Sequence, residues 1–228
     1  MTSLEERIAV VKERIRRAAE RAGRSPDSVQ LVAVSKRHSA EAVREAYRLG
    51  LHAFGENYAQ ELVSKAAEVG RLPGIAWHMI GHLQTNKARI VAPVIATLHT
   101  VDSTYVASEI GKRAAKLGRK IEVLIEVNVA KDPAKSGCSP TELQSIIDAV
   151  RACPALTLRG IMTMPPHTDD PEQARPFFAG LRALQTLHGG AAALPELSMG
   201  MSHDLEAAIA EGATIVRVGT AIFGEREP

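Results

Sequence analysis

The sequence predicts an α/β fold: a single TIM-type (β/α)8 barrel over residues 1–228 with an additional N-terminal helix. Three observations carry that prediction. Eight apolar, strand-like runs alternate with helical patterns along the chain. The length of 228 residues suits one large core. No GxGxxG follows the first strand, which counts against a doubly wound open sheet. No linker, low-complexity tract or clear internal repeat divides the pattern.

The leading helix comes first. Leu4, Ile8, Val11, Ile15, Ala18 and Ala22 recur at spacings of three and four, which makes one apolar stripe. Ser3 and Glu6 have capping-box spacing, and Gly23 is a natural stop. The Arg and Lys residues on the other face read as a solvated surface. Strands are then expected near 30–35, 51–54, 75–80, 97–101, 121–128, 156–162, 195–198 and 214–218. Helices are expected near 39–49, 58–70, 84–92, 103–117, 140–152, 171–188 and 203–211. Ser139-Pro140 with Glu142, and Asp170-Pro171, mark two helix starts with proline at the first helical position.

Composition narrows the function classes. The formal charge of +2 is near balance, and aromatics make up only 4%, so nucleic-acid binding is not expected. Cys138 and Cys153 form no CxxC pair, which fits a reducing compartment better than a disulfide scaffold. The N-terminus is too charged for a signal peptide and no apolar run is long enough to span a membrane, so a cytoplasmic protein is expected. The outer helices show no obvious apolar seam, and a monomer is the expectation.

Lys36 is the first residue to point to chemistry. It ends the run LVAVSK, where a buried strand gives way to a loop. Partial desolvation at a strand mouth lowers an amine's pKa, and a neutral amine attacks an aldehyde. The competing reading is a solvated loop lysine. In a barrel, phosphates commonly bind after strands seven and eight. Ser198 to Asp204 follows the seventh strand there, with Ser202 as a hydroxyl donor; Ser202 or Asp204 also reads as a plain N-cap. Gly219-Thr220 follows the eighth strand, as the second half of a phosphate cup or as an ordinary turn. Arg217, flanked by Val216 and Val218, faces away from both valines. It is a candidate partner for a ring nitrogen, or for a carboxylate such as Glu126. Pyridoxal 5'-phosphate satisfies an amine, an anion cup and a ring-nitrogen donor together.

Other segments are weaker. Asn57, in FGENY, and His78, in WHMIGHLQTNK, lie where polar residues bunch at strand ends. His78 reads as a pocket wall or a satisfied core histidine. Its i, i+4 spacing to His82 is not expected to hold a metal, because Gly81 breaks any helix there. Lys135 in a flexible loop reads as solvated, Met162 and Met164 as packing, and Cys138 as having no catalytic role.

With these residues in view, the chain resembles the pyridoxal phosphate homeostasis protein family, which shares its barrel with the N-terminal domain of alanine racemase. The resemblance spans essentially the whole chain. It rests on AVSK ending at Lys36, FGENY from Phe54, WHMIGHLQTNK from Trp77, KSG from Lys135, SMGMSHD from Ser198 and RVGTAIFG from Arg217. It departs in Arg37-His38-Ser39, which lacks the proline often found after the lysine. The resemblance implies a Schiff base on Lys36 and phosphate contacts from Ser202, Gly219 and Thr220. It places Arg217 near the ring nitrogen, with Asn57 and His78 lining the pocket. It also implies a non-enzymatic role in buffering or delivering the cofactor, with transient contact to enzymes that need it. The alternative is a pyridoxal phosphate-dependent amino-acid racemase or decarboxylase. A two-base racemase needs a second proton donor, commonly from another domain, and the sequence closes soon after its eighth strand. An aldolase using Lys36 is a further rival, which the absence of a yellow adduct would favour.

Overall fold

The computed structural model describes residues 2–166 and 168–225. Helix α1 (Leu4–Arg21) opens with the expected box. Ser3 Oγ accepts from the Glu6 N–H, and Glu6 Oε2 accepts from the Ser3 N–H at 2.7 Å. Its stripe of Leu4, Ile8, Val11, Ile15 and Ala18 is buried.

The chain then alternates. It runs through β1 (Gln30–Val34), α2 (Ala40–Arg48), β2 (Ala53–Glu56), α3 (Ala59–Val69), β3 (Ala76–Met79) and α4 (Ala88–Val91). Next come β4 (Thr97–Val101), α5 (Thr104–Lys116), β5 (Ile121–Glu126), α6 (Leu143–Arg151) and β6 (Leu156–Met162). The last part holds α7 (Arg175–Leu187), α8 (Gly190–Ala193), β7 (Glu196–Ser198), α9 (Leu205–Ala210), β8 (Ile215–Val218) and α10 (Thr220–Phe223).

All eight strands are parallel and close into a barrel in sequence order. Closure pairs the first strand with the last: Val32 lies opposite Arg217, and Ala33 opposite Val218. Side chains alternate across the sheet. Val32, Ala53, Leu124, Met162 and Ile215 pack inside. Ala33, Phe54, Met79, Leu98 and Val216 belong to the larger core under the helices. Burying one such large apolar side chain contributes about 1.5–3 kcal/mol.

Several boundaries differ from the sequence reading. β2 starts later and runs on through Gly55 and Glu56. Leu51 N–H instead bonds back to Ala46 O, closing α2, and the Glu56 carboxylate is buried in an ion pair that local sequence does not announce. The helix expected near 84–92 is a short 3-10 turn, Thr85–Lys87, followed by α4. α6 begins only at Leu143, because Glu142 turns back to take the Ser139 N–H and hydroxyl. The Asp170 signal caps a 3-10 turn, Pro171–Ala174, that leads into α7. No helix among the described residues is long and apolar enough to cross a membrane.

Candidate functional site

β1 ends at Val34, and Ser35-Lys36-Arg37 turns into the mouth of the barrel. Lys36 is half-buried and lines a cavity of about 330 Å³. Arg37 adopts φ +63°, a conformation that costs a side-chain-bearing residue about 1–2 kcal/mol. Buried charges hold the turn in place. Glu61 Oε1 accepts the Arg37 N–H at 2.5 Å, and it also pairs with Lys65 Nζ at 2.8 Å. Lys65 is buried; its Nζ donates to Ser35 O and to Glu56 Oε1, both at 2.6 Å. Glu56 Oε1 also accepts the Ser35 hydroxyl at 2.7 Å. Burial raises the Glu56 carboxyl above the usual range, and Lys65 opposes that rise.

The opposite jaw comes from the loops after β7 and β8. Gly200 takes φ +92°, and a Cβ there would lie 2.6 Å from Ala208 Cβ, so this turn requires glycine. Asp204 Oδ1 accepts the Met201 N–H at 2.6 Å, so it braces the loop and makes no side-chain cap bond to α9. Ser202 Oγ accepts the Ala221 N–H at 3.3 Å, which ties the β7 loop to α10. Gly219 packs against Val34; a Cβ on it would meet Val34 O at 3.2 Å. Closure of β1 on β8 thus brings Lys36, Ser202, Gly219 and Thr220 to one cavity.

The basic face of α1 is only partly solvated. Arg14 forks onto Glu206 at 2.7 and 2.8 Å and donates to Ser202 O at 3.0 Å. Arg7 Nε donates to Ile222 O at 2.6 Å. Two arginines expected at a plain surface therefore anchor the segments after β7 and β8.

Arg217 projects inward and lines the cavity floor. The salt bridge to Glu126 does not form. Arg217 Nη1 donates to Ser198 Oγ at 2.6 Å, and Nη2 donates to Thr163 O at 3.0 Å. Burial pulls the guanidinium down to about 10, which leaves it a cation at neutral pH. Behind Ser198 the polar chain continues: Ser198 Oγ lies 3.0 Å from His99 Nδ1, and His99 Nε2 lies 2.9 Å from His78 Nδ1. Burial lowers His78 to about 4 and takes His99 well below its ordinary range, so both rings are neutral. His78 is not among the residues that line this cavity, and its Nε2 is buried without a hydrogen-bond partner. It is buried inside the barrel and reaches Arg217 only through His99 and Ser198.

Asn57 follows β2 and lines the cavity beside Gly81. A Cβ on Gly81 would fall 2.2 Å from Asn57 O, so glycine permits that approach. His82 pairs with Asp102 at 3.1 Å, away from the partner of His78. Lys135 is not a solvated lysine. It donates to the carbonyls of Met164 and Pro165 at 3.1 and 2.5 Å, tying the β5 loop to the β6 loop. Met162 and Met164 both line the cavity, and so does Glu126. Glu126 is 4% exposed, its Oε2 has no hydrogen-bond partner, and burial pushes it up to about 7.

Comparison with known proteins places this geometry. The alanine racemase N-terminal domain family matches residues 7–227. The sequence is 46% identical to the pyridoxal phosphate homeostasis protein of Pseudomonas aeruginosa, covering 100% of this chain and 97% of the relative. It is 44% identical to the protein of that name from Aquifex aeolicus, covering 97% and 98%. The chain belongs to the pyridoxal phosphate homeostasis protein family. PipY of Synechococcus elongatus, solved with pyridoxal phosphate bound, superposes on it with a TM-score of 0.82 at 37% identity, covering 97% of this chain and 100% of that one.

Within this family frame, six of the seven residues singled out from sequence line one cavity, His78 being the exception. Four supporting residues escaped the sequence reading. Lys65 carried a signal, since it shares the buried face of α3 with Leu62 and Val69. His99 carried another, as a polar residue at an inward position of a buried strand. Arg14 looked like any other residue on a charged helix face. Ser198 was legible only as the start of a motif.

Proposed function

We propose that this chain holds pyridoxal 5'-phosphate as a Schiff base on Lys36. It acts in intracellular cofactor homeostasis by buffering or delivering the cofactor, without robust catalysis of its own. The observation that carries the reading is the shared cavity: an amine from β1 faces the glycine-containing turns after β7 and β8. The relatives named for pyridoxal phosphate homeostasis and the PipY complex support it. The residues also fit the group. Bound here, the cofactor supplies an aldehyde carbonyl that condenses with an amine. Ser202, Gly219 and Thr220 take its phosphate, and Asn57 borders the ring. Arg217 donates to the ring nitrogen. At about 10 the guanidinium stays a protonated donor at neutral pH, so the ring is a weaker electron sink than one partnered by an aspartate. His78, through His99 and Ser198, holds Arg217 in place. The cytoplasm, a monomeric state and transient contact with enzymes that use the cofactor belong to the same proposal.

Borohydride trapping with peptide mass mapping tests it. The wild-type protein should be yellow and carry the reduced cofactor on Lys36, and Lys36→Ala should carry none. A reducible yellow adduct on another residue of Lys36→Ala rejects the site. Turnover of any amino acid at an ordinary enzymatic rate rejects the carrier role.

A further inference from the structure

We propose that Glu126 accepts the proton of the ammonium that displaces the cofactor from Lys36, so that the β5 wall of the cavity is where a receiving amine docks. This rests on the reading of Lys36 above. In a closed ring of eight strands in sequence order, β5 stands across from β1. Lys36, the phosphate turns and Arg217 enter from β1, β7 and β8, while Glu126 lines the same cavity from β5, with Met162 of β6 beside it. Glu126 is almost fully buried yet makes no ion pair, and Oε2 lacks any hydrogen-bond partner. A buried acceptor left unpartnered is costly, and a ligand donor relieves that cost.

A receiving amine is such a donor. Amino acids and lysine side chains are ammonium ions at neutral pH, and only the free base attacks a carbon–nitrogen double bond. The step balances without a redox partner. The ammonium proton passes to the Glu126 carboxylate. As the carbon–nitrogen double bond exchanges the Lys36 nitrogen for the incoming one, the two protons left on the incoming nitrogen move to the Lys36 nitrogen, and Glu126 returns its proton so that Lys36 leaves as an ammonium. The groups around Glu126 tune it for both directions. Burial raises it most and Asp102 after β4 adds to that, whereas Arg217 on β8 and Lys135 in the β5 loop lower it. Cys138 in the same loop is pushed up to about 12 and stays a thiol. Lys36 lies across the cavity. The balance leaves Glu126 near 7, able both to take and to return a proton.

The test compares two displacing probes on cofactor-loaded protein, followed by loss of the yellow absorbance. Glycine must shed a proton before it attacks; hydroxylamine is already uncharged at neutral pH. In E126Q the ratio of the glycine rate to the hydroxylamine rate should fall about a hundredfold. Glu126→Leu, with no polar atom, should repeat that selectivity and guards against a defect peculiar to the amide. In cofactor-free protein, a carbon-13 carboxyl resonance titrating near 7 should be present in the wild type and missing from E126Q. An unchanged ratio, both probes slowed alike, or no such resonance overturns the proposal. A wild-type protein that never turns yellow overturns the Lys36 reading instead, before any displacement is measured.

Discussion

Lys65 Nζ donates to the carbonyl oxygen of Ser35 at 2.6 Å, one peptide before Lys36. The same ammonium neutralises Glu56, which is fully buried, and Glu61, which holds the strained Arg37 N–H. Lys65→Met would strand the Glu56 charge in the interior. Removing one partner of such a pair costs about 3–5 kcal/mol. Urea denaturation of Lys65→Met should show a loss of that size, and adding Glu56→Gln should restore part of it. A Lys65→Met protein as stable as wild type would mean that another contact fixes the turn.

The neutral histidine pair makes the barrel acid-sensitive. His78 titrates at 6.5 in the unfolded chain and at about 4 in the fold, so the unfolded state binds more protons between those values. Its contribution is complete above pH 6.5 and is lost as pH falls toward 4. At about 1.4 kcal/mol per pH unit, His78 alone removes about 2–3 kcal/mol between pH 7 and pH 4.5. His99 acts in the same direction. Urea midpoints at the two pH values should separate less in His78→Gln than in wild type. An equal separation would assign the acid sensitivity to other groups.

Arg14 links α1 to the turn that holds Ser202. Its pair with Glu206 is partly exposed and adds little stability by itself. Arg14→Ala should therefore cost only about 1 kcal/mol of folding stability. Cofactor affinity should fall more visibly, about tenfold, because the Ser202 carbonyl loses its anchor. Arg14→Lys keeps the charge without the fork and should resemble Arg14→Ala in absorbance titrations. Wild-type affinity in both variants would show that Asp204 braces the turn unaided.

The barrel was legible because each strand is a compact apolar run and each helix carries its own stripe. Lys36, Arg217 and Gly219-Thr220 were legible because their strands end where local sequence says they end. What stayed hidden depends on closure. Arg14 and Ser202 are 188 residues apart, and nothing local joins them. Glu56 looked like the start of a loop because its buried partner, Lys65, is one helix away. His78 looked like a pocket residue because it shares a motif with rim residues, and only the register of β3 against β4 turns it toward His99.

Gly200 gives the sharpest test of the proposed phosphate grip. Its φ of +92° and the 2.6 Å approach to Ala208 Cβ leave no room for a side chain. Gly200→Ala should lose about 1–2 kcal/mol from backbone strain, seen as a lower thermal midpoint. Relief of the clash must shift the turn, and Ser202 moves with it. Pyridoxal and pyridoxal phosphate share the aldehyde and the ring but not the anion. Absorbance titration should then show weaker binding of pyridoxal phosphate, by about tenfold, with pyridoxal affected little. Equal losses for both ligands would place the phosphate away from this turn and leave the grip to Gly219 and Thr220.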